Sequence, residues 1–347
     1  MSEVASGRFL ARLAHVRGRL EAWLTPWLAA RVEEARTRGE SVHAVAAAVS
    51  DLALRGGKRV RAGLLATAYE ACAAGDGDVV VAAGAGLELL HAYFLVHDDW
   101  MDGDDERRGA PSVPAVMRAR FPGKDDATSV LAGDLASAWA HRALFEVPLP
   151  TERVIEAARE LARAHEQVVA GQVLDVCADA RDEAAVERVY ALKTASYTVR
   201  APVVMGAKLA GAAASQSGAL AAYAEPLGIA FQLRDDLLGV FGDASVTGKP
   251  SGGDLRRGKR TSLLIHALRD ARAAQAIGRV LGRADASDAD VAAAVEAIEA
   301  SGAKVRVEER IAALVVEARA ALGRAELTAA GRELLEDAAV ALSRRER

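Results

Sequence analysis

"GLELLHAYFLVHDDWMDGDDERRG", residues 86–109, is where an apolar helical pattern runs into a block of charge. Its second part, His97 to Gly109, holds six carboxylates and two adjacent arginines within thirteen residues. Asp98 and Asp102 are four apart, so on a helix they share one face and both can touch one cation. Without a cation they repel. Acidic residues at a helix C-terminus also oppose the macrodipole, at roughly 0.3–1 kcal/mol each when exposed. Two readings are open for such an end: a solvated helix terminus, or a site built to hold positive charge.

The rest of the chain sets the frame for that helix. It has 347 residues, of which 51% are hydrophobic and only 4% aromatic, so Ala, Leu and Val must fill the interior. That composition favours closely packed helices over sheets. The 3.6-residue period recurs from end to end. In "SVHAVAAAVSDLAL" it predicts a stripe of Val42, Val45, Val49 and Leu52; in "TERVIEAARELARAHEQVVAGQVLDV" it predicts one of Val154, Ile155, Ala158, Leu161, Val168 and Val176. Short Gly, Pro, Asp and Ser clusters separate the helices, and two connections stand out as long, charged loops: one from Gly103, the other from Phe241. No repeat or composition shift marks a boundary. The expectation is one all-α domain over residues 1–347, a large bundle of long helices.

Charge is nearly balanced, 44 Lys and Arg against 48 Asp and Glu, which gives no general reason to bind nucleic acid. Two cysteines make neither a disulfide framework nor a zinc set and fit a reducing compartment. The N-terminal stretch is too broken by charge for a secretory core, and no uninterrupted apolar run reaches the roughly 20 residues of a membrane span. A cytoplasmic protein is expected.

A second helix repeats the design of the first. "EPLGIAFQLRDDLLGVFGD" carries Gln232, Asp235 and Asp236 beyond an apolar run, with Asp243 at its exit. Two such helices facing one another across a cavity would offer oxygen ligands only, the donor set of magnesium, or manganese, shared with phosphate. Phosphate also needs cations. "RGGKRVRAG" supplies Lys58, Arg59 and Arg61, the acidic loop supplies Arg107 and Arg108, and Lys193, Lys249 and Lys259 lie near glycine or hydroxyl residues. Any one of these alone is an ordinary surface cation. "GGDLRRGKRT" has Walker spacing, but Arg260 stands where a Ser or Thr must hold magnesium and no convincing strand precedes it, which argues against a P-loop.

Taken in order, "GGKRVR", "FLVHDDWMDGDDERRG", "GQVLD", "KT", "FQLRDD", "GD", "GKP" and "GKRT" resemble the trans-isoprenyl diphosphate synthases, the polyprenyl synthetase family that includes farnesyl and geranylgeranyl diphosphate synthases. The motifs cover about residues 50–265; each is weak alone and the ordered set is specific. The resemblance implies an all-helical fold around a deep central cavity, usually a homodimer, that condenses isopentenyl diphosphate with an allylic diphosphate using three magnesium ions. It implies Asp98, Asp102 and Asp235 as metal ligands, with Asp99 and Asp243 in support and Asp236 holding metal-bound water. Arg107, Lys193, Lys249 and Lys259 would bind the allylic diphosphate; Lys58, Arg61, Arg108 and His91 would serve the isopentenyl diphosphate. Gln172, Asp175, Thr194, Gln232 and Asp254 would support the cavity.

In the resembling family, bulky residues four and five before the first aspartate shorten the tail cavity. Tyr93 and Phe94 stand there, the fifteen-carbon, farnesyl pattern, with a twenty-carbon product as the alternative. One departure is plain: the family's second motif ends in a third aspartate where this chain has Gly239. A class I terpene cyclase would share the first motif but lacks the second cation set, and a non-catalytic partner subunit would account for Gly239.

Overall fold

The computed structural model describes residues 7–72, 75–177, 182–242 and 252–344. Asp243 and Lys249 lie outside the described residues. Ten helices lead up to the second acidic end: α1 (Gly7–Arg36), α2 (Glu40–Leu54), α3 (Val60–Cys72), α4 (Val81–Asp102), α5 (Val113–Arg120), α6 (Asp125–Leu144), α7 (Thr151–Val176), α8 (Glu183–Tyr190), α9 (Ala201–Ala210) and α10 (Ala214–Phe241). Beyond the second loop come shorter helices at Gly253–Arg256, Ser262–Ala267, Ala271–Val280 and Asp288–Ala300, then longer ones at Ala303–Leu322 and Ala329–Ser343.

The core helix is α4. By length and composition Gly77–Asp102 is apolar enough to cross a membrane, yet 72% of its most apolar window is buried inside the protein. It packs chiefly on α6, with α3 and α1 on other sides. A methyl group on Gly86 would meet the Ala140 carbonyl oxygen at 2.8 Å, so the two backbones approach as only small residues permit. This is how an interior short of aromatics reaches close packing.

Stripe predictions held in part. On α7 Val154, Leu161 and Val168 are buried, whereas Ile155 and Val176 are exposed; on α2 Val49 and Leu52 are buried and Val42 is exposed. The first charged loop is also not irregular. Glu106–Arg107 pairs antiparallel with Ala110–Pro111, closing on Arg108 and Gly109, both at positive φ (55° and 72°). Two left-handed residues in a row match the right-handed twist of a two-residue hairpin.

Between α8 and α9 the helix continues without a break but widens, residues Ala191–Arg200 taking π-helical turns in which the Ala201 N–H donates to the Ser196 carbonyl. Pro202 follows at once. Its ring crowds the carbonyl four residues back and it has no N–H to give, a misfit that a wider turn accommodates. This widened stretch crosses α7 so tightly that a methyl on Gly171 would lie 2.6 Å from the Lys193 backbone nitrogen.

Candidate functional site

The C-terminal end of α4 and the C-terminal part of α10 open onto one cavity of about 290 Å³, whose lining includes Asp98, Asp102, Asp104, Asp175, Asp235 and Asp254. The two acidic helix ends therefore face a common hollow, as the sequence predicts. Five cations share that lining: Arg107, Lys193, Arg257, Lys259 and Arg260. Gly103 at φ 70° ends α4 and the Asp104 N–H returns to the Asp99 carbonyl at 2.9 Å, which fixes where the chain turns out of the helix.

Burial raises the Asp98 carboxyl above its ordinary range; Lys193 pulls it down and the charges of Asp102 and Asp175 push it up again. Asp102 is raised in the same way by burial, against Lys193, with Asp104 and Asp175 adding to the rise. These carboxylates are crowded for want of positive charge. Lys193 supplies some of it, 2.7 Å from Asp175 and 3.9 Å from Asp98. Among the described residues no three acidic, His or Cys side chains converge closely enough to hold a metal by themselves. Oxygen ligands on two walls, too few on either, fit magnesium, which takes one or two carboxylates and fills its shell with water and phosphate.

Two of the predicted metal-supporting aspartates, Asp236 and Asp99, are held by donors from the protein. Asp236 is fully buried and does not line the cavity; Gln232 donates to it at 2.8 Å, Lys259 at 2.9 Å, and the Tyr190 hydroxyl donates to its other oxygen. With three protein donors on its oxygens, Asp236 anchors Lys259. Burial would depress the Lys259 ammonium, but Asp236, Asp254 and Asp235 outweigh it and keep it charged. Asp99, equally buried, receives the Arg107 guanidinium (Nε at 2.8 Å) and so aims that arginine. Support for the metal is thus indirect.

A second cationic cluster forms behind the first. Arg61 donates to Thr198 at 3.0 Å and lies over the Tyr197 ring; Arg108 donates to the Gly56 carbonyl at 2.9 Å and stands 3.3 Å from His91. Lys58 is exposed on the same turn. Arg59, between them in sequence, turns inward instead, buried against Glu88 at 3.1 Å and the Ala53 carbonyl at 2.8 Å. Among the described residues Arg59 (φ 53°) and Arg108 (φ 55°) are the non-glycine residues at positive φ, and backbone held in that region clusters at binding sites.

An apolar chamber of about 390 Å³ adjoins the acidic cavity, sharing Asp98, Lys193 and Thr194 with it. Tyr93 and Phe94 line it one turn below Asp98, with Gln172, Val168 and Tyr197. Their rings form a cluster with His165 and Tyr197: Tyr93 to His165 4.7 Å, Phe94 to Tyr197 4.8 Å between centroids.

The profile of the polyprenyl synthetase family matches residues 42–298. The chain belongs to that family. The (2E,6E)-farnesyl diphosphate synthase of Mycobacterium tuberculosis is 36% identical over 259 residues, 72% of this chain and 68% of that one. The geranylfarnesyl diphosphate synthase of Aeropyrum pernix is 34% identical over 298 residues, 83% and 87% of the two chains. Among solved structures, the geranylgeranyl pyrophosphate synthase of Corynebacterium glutamicum, complexed with isoprenyl diphosphate and magnesium, superposes with a TM-score of 0.86 at 34% identity, covering 96% of this chain and 98% of that one. This polyprenyl synthetase is accordingly a prenyltransferase that makes prenyl diphosphates.

Besides Arg257 and Arg260, which line the acidic cavity, sequence reasoning missed three more residues of the synthetase's site. Tyr197 joins the second cationic cluster to the apolar chamber, touching His91 at 3.3 Å. Tyr190 fixes Asp236 and accepts the Ser262 N–H at 3.1 Å. Asp104 lines the acidic cavity. Tyr197, four after Lys193, was the most findable, since that spacing recurs on one helix face.

The histidines of the synthetase lead to a pH prediction. His91 is held well below the ordinary imidazole value of 6.5, by burial first and then by Arg61 and Arg108. His165 is lowered by burial, then by His141 and His97. The unfolded chain therefore binds more protons in the window just below 6.5, and the folded protein loses stability as pH falls through it. Unfolding free energy should decline between about pH 7 and 5, with a shallower slope in His91→Gln/His165→Gln. An unchanged slope in the variant would rule these two groups out.

Proposed function

We propose that this synthetase joins isopentenyl diphosphate head to tail to an allylic diphosphate, with three magnesium ions, to give fifteen-carbon farnesyl diphosphate. The observation that carries the reading is the shared hollow: Asp98 and Asp102 on one wall and Asp235 on the other, opening through Lys193 and Thr194 into an apolar chamber. Magnesium, when bound, would neutralise charge on the departing diphosphate; Asp98, Asp102 and Asp235 would hold it.

The chain's own residues account for the rest. Arg107 and Lys259, aimed by Asp99 and Asp236, take diphosphate oxygens of the allylic substrate as its C–O bond breaks, so their attraction grows with the developing charge. Lys193 joins them at the chamber's mouth. Arg61, Arg108 and Lys58 hold the isopentenyl diphosphate, and neutral His91 lends a polar contact without adding charge. The isopentenyl double bond attacks the allylic carbon, a C–C bond forms, and the proton lost leaves with the released diphosphate. The apolar chamber receives the growing tail and excludes water.

Product length is read from Tyr93 and Phe94, whose rings stand across the chamber. Replacing both by Ala should shift the main product by at least one isoprene unit while leaving the metal requirement intact; chromatography of the dephosphorylated prenols reads the outcome, and an unaltered distribution would reject these residues as the floor. The twenty-carbon product is the alternative, since relatives carry names of several chain lengths. We also propose a homodimer: Val169, Val173 and Val176 of α7 are exposed while they line the chamber, an apolar face that a second copy would cover. Activity in the cytoplasm is in keeping with Cys72 and Cys177 as free thiols.

Incubating the pure protein with magnesium, isopentenyl diphosphate and dimethylallyl, geranyl or farnesyl diphosphate tests the whole reading. An elongated diphosphate supports it. A released hydrocarbon would point to a cyclase, and no product to a partner subunit.

A further inference from the structure

Gly239 lies four residues after Asp235 on the same face of α10, and the space beside it is taken. A Cβ built on Gly239 would overlap the carboxylate of Asp254, a residue that arrives from the far end of the second loop, in the helix Gly253–Arg256. Asp254 is buried, yet it lines the acidic cavity. Arg257 holds it at 2.6 Å and Lys259 lies 3.7 Å away. Its own backbone is pinned too: the Lys259 N–H donates to the Asp254 carbonyl at 3.1 Å. The side chain is short and tied at both ends, so a new neighbour could displace it only by breaking those ties.

We infer that Asp254 supplies, from outside the helix, the carboxylate that a third aspartate on α10 would supply from position 239. Glycine at 239 is then not a loss but the vacancy that lets Asp254 reach the wall beside Asp235. The two positions are coupled: a side chain at 239 and the Asp254 carboxylate cannot both occupy that space, and two carboxylates there would also repel. The inference rests on the metal reading proposed above, and it makes Asp254 a positioning residue for the metal on the Asp235 side.

The test is a double-mutant cycle read as affinity for Mn2+ in the presence of inorganic pyrophosphate, by the loss of the free-ion electron paramagnetic signal, on the full-length protein. Asp254→Ala should weaken Mn2+ binding about tenfold, the scale of a lost supporting partner. Gly239→Asp alone should also weaken it, because the added side chain displaces Asp254. Combining Gly239→Asp with Asp254→Gly should bring affinity back to within about threefold of the parent, which independent effects would not do. Should Asp254→Ala fail to fold, Asp254→Asn keeps the shape while removing the charge and should show the same weakening. Affinity unchanged in the Asp254 variants, or tightened by Gly239→Asp alone, overturns the inference while leaving the metal reading in place. A parent protein that binds no Mn2+ with pyrophosphate overturns both.

Discussion

Condensation falls about a thousandfold or more when Asp98 and Asp235 are both changed to Asn, with the fold intact. Each change removes a negative charge from one wall of the cavity while Asn keeps the volume. Loss of one well-placed electrostatic partner typically lowers turnover by about 100- to 1000-fold, and here both walls are affected. The stability side of the same experiment runs the opposite way. The Asp98 carboxyl is raised by burial and by its acidic neighbours, so its ionised form opposes folding above the ordinary carboxyl range. A neutral amide removes that opposition, and the melting temperature of Asp98→Asn alone should equal or exceed the parent's. Turnover is measured with excess magnesium and radiolabelled isopentenyl diphosphate. Near-normal turnover would reject the two-wall metal site, and a lowered melting temperature would reject the account of Asp98.

Glu88→Ala destabilises the protein by about 3–5 kcal/mol, the usual consequence of stranding one member of a buried ion pair. The Glu88 and Arg59 side chains are 3% and 1% exposed, and Arg59 has no route to solvent once its partner is gone. Among the described residues Glu88 Oε1 and Arg59 Nε find no hydrogen-bond partner, so the protein does not fully satisfy the pair. Replacing both residues by apolar ones of similar size should therefore recover much of the loss. Urea unfolding of the single and double variants separates the two cases. If the single variant unfolds at the parent's midpoint, the pair does not hold this turn. Arg59 also fixes the strained backbone that carries Lys58 and Arg61, so the single variant should raise the KM for isopentenyl diphosphate as well.

What the sequence revealed about the site follows from which residues break a local rule. Asp98 and Asp102 were legible because acidic side chains at a helix C-terminal end run against the macrodipole, and Asp235 because it opens a second acidic pair beyond an apolar run. Arg59 was not legible, because a guanidinium in "GGKR" reads the same whether it faces phosphate or Glu88. Asp236 likewise sits one residue from a cavity-lining aspartate and points the other way, a difference set by α10's packing against Tyr190 and Lys259. The Arg108–Gly109 hairpin escaped notice because arginine is an unusual occupant of a left-handed turn position. The fold was easier to read: long 3.6-period stripes with few aromatics leave little choice but a bundle. The widened stretch at Ala191–Arg200 has no such signature, since it depends on where Pro202 falls in an otherwise continuous helix.

Gly171, where α7 crosses the Lys193 backbone, has a bearing on how this enzyme can change. Two main chains meet there with no side chain between them, and Asp175 and Gln172 ride on one while Lys193 and Thr194 ride on the other. The passage between the acidic cavity and the apolar chamber is thus gauged by bare backbone, the least adjustable part of a protein. Variation in what the enzyme accepts is left to the aromatic rings farther down, and the charged rim keeps its spacing whatever the tail.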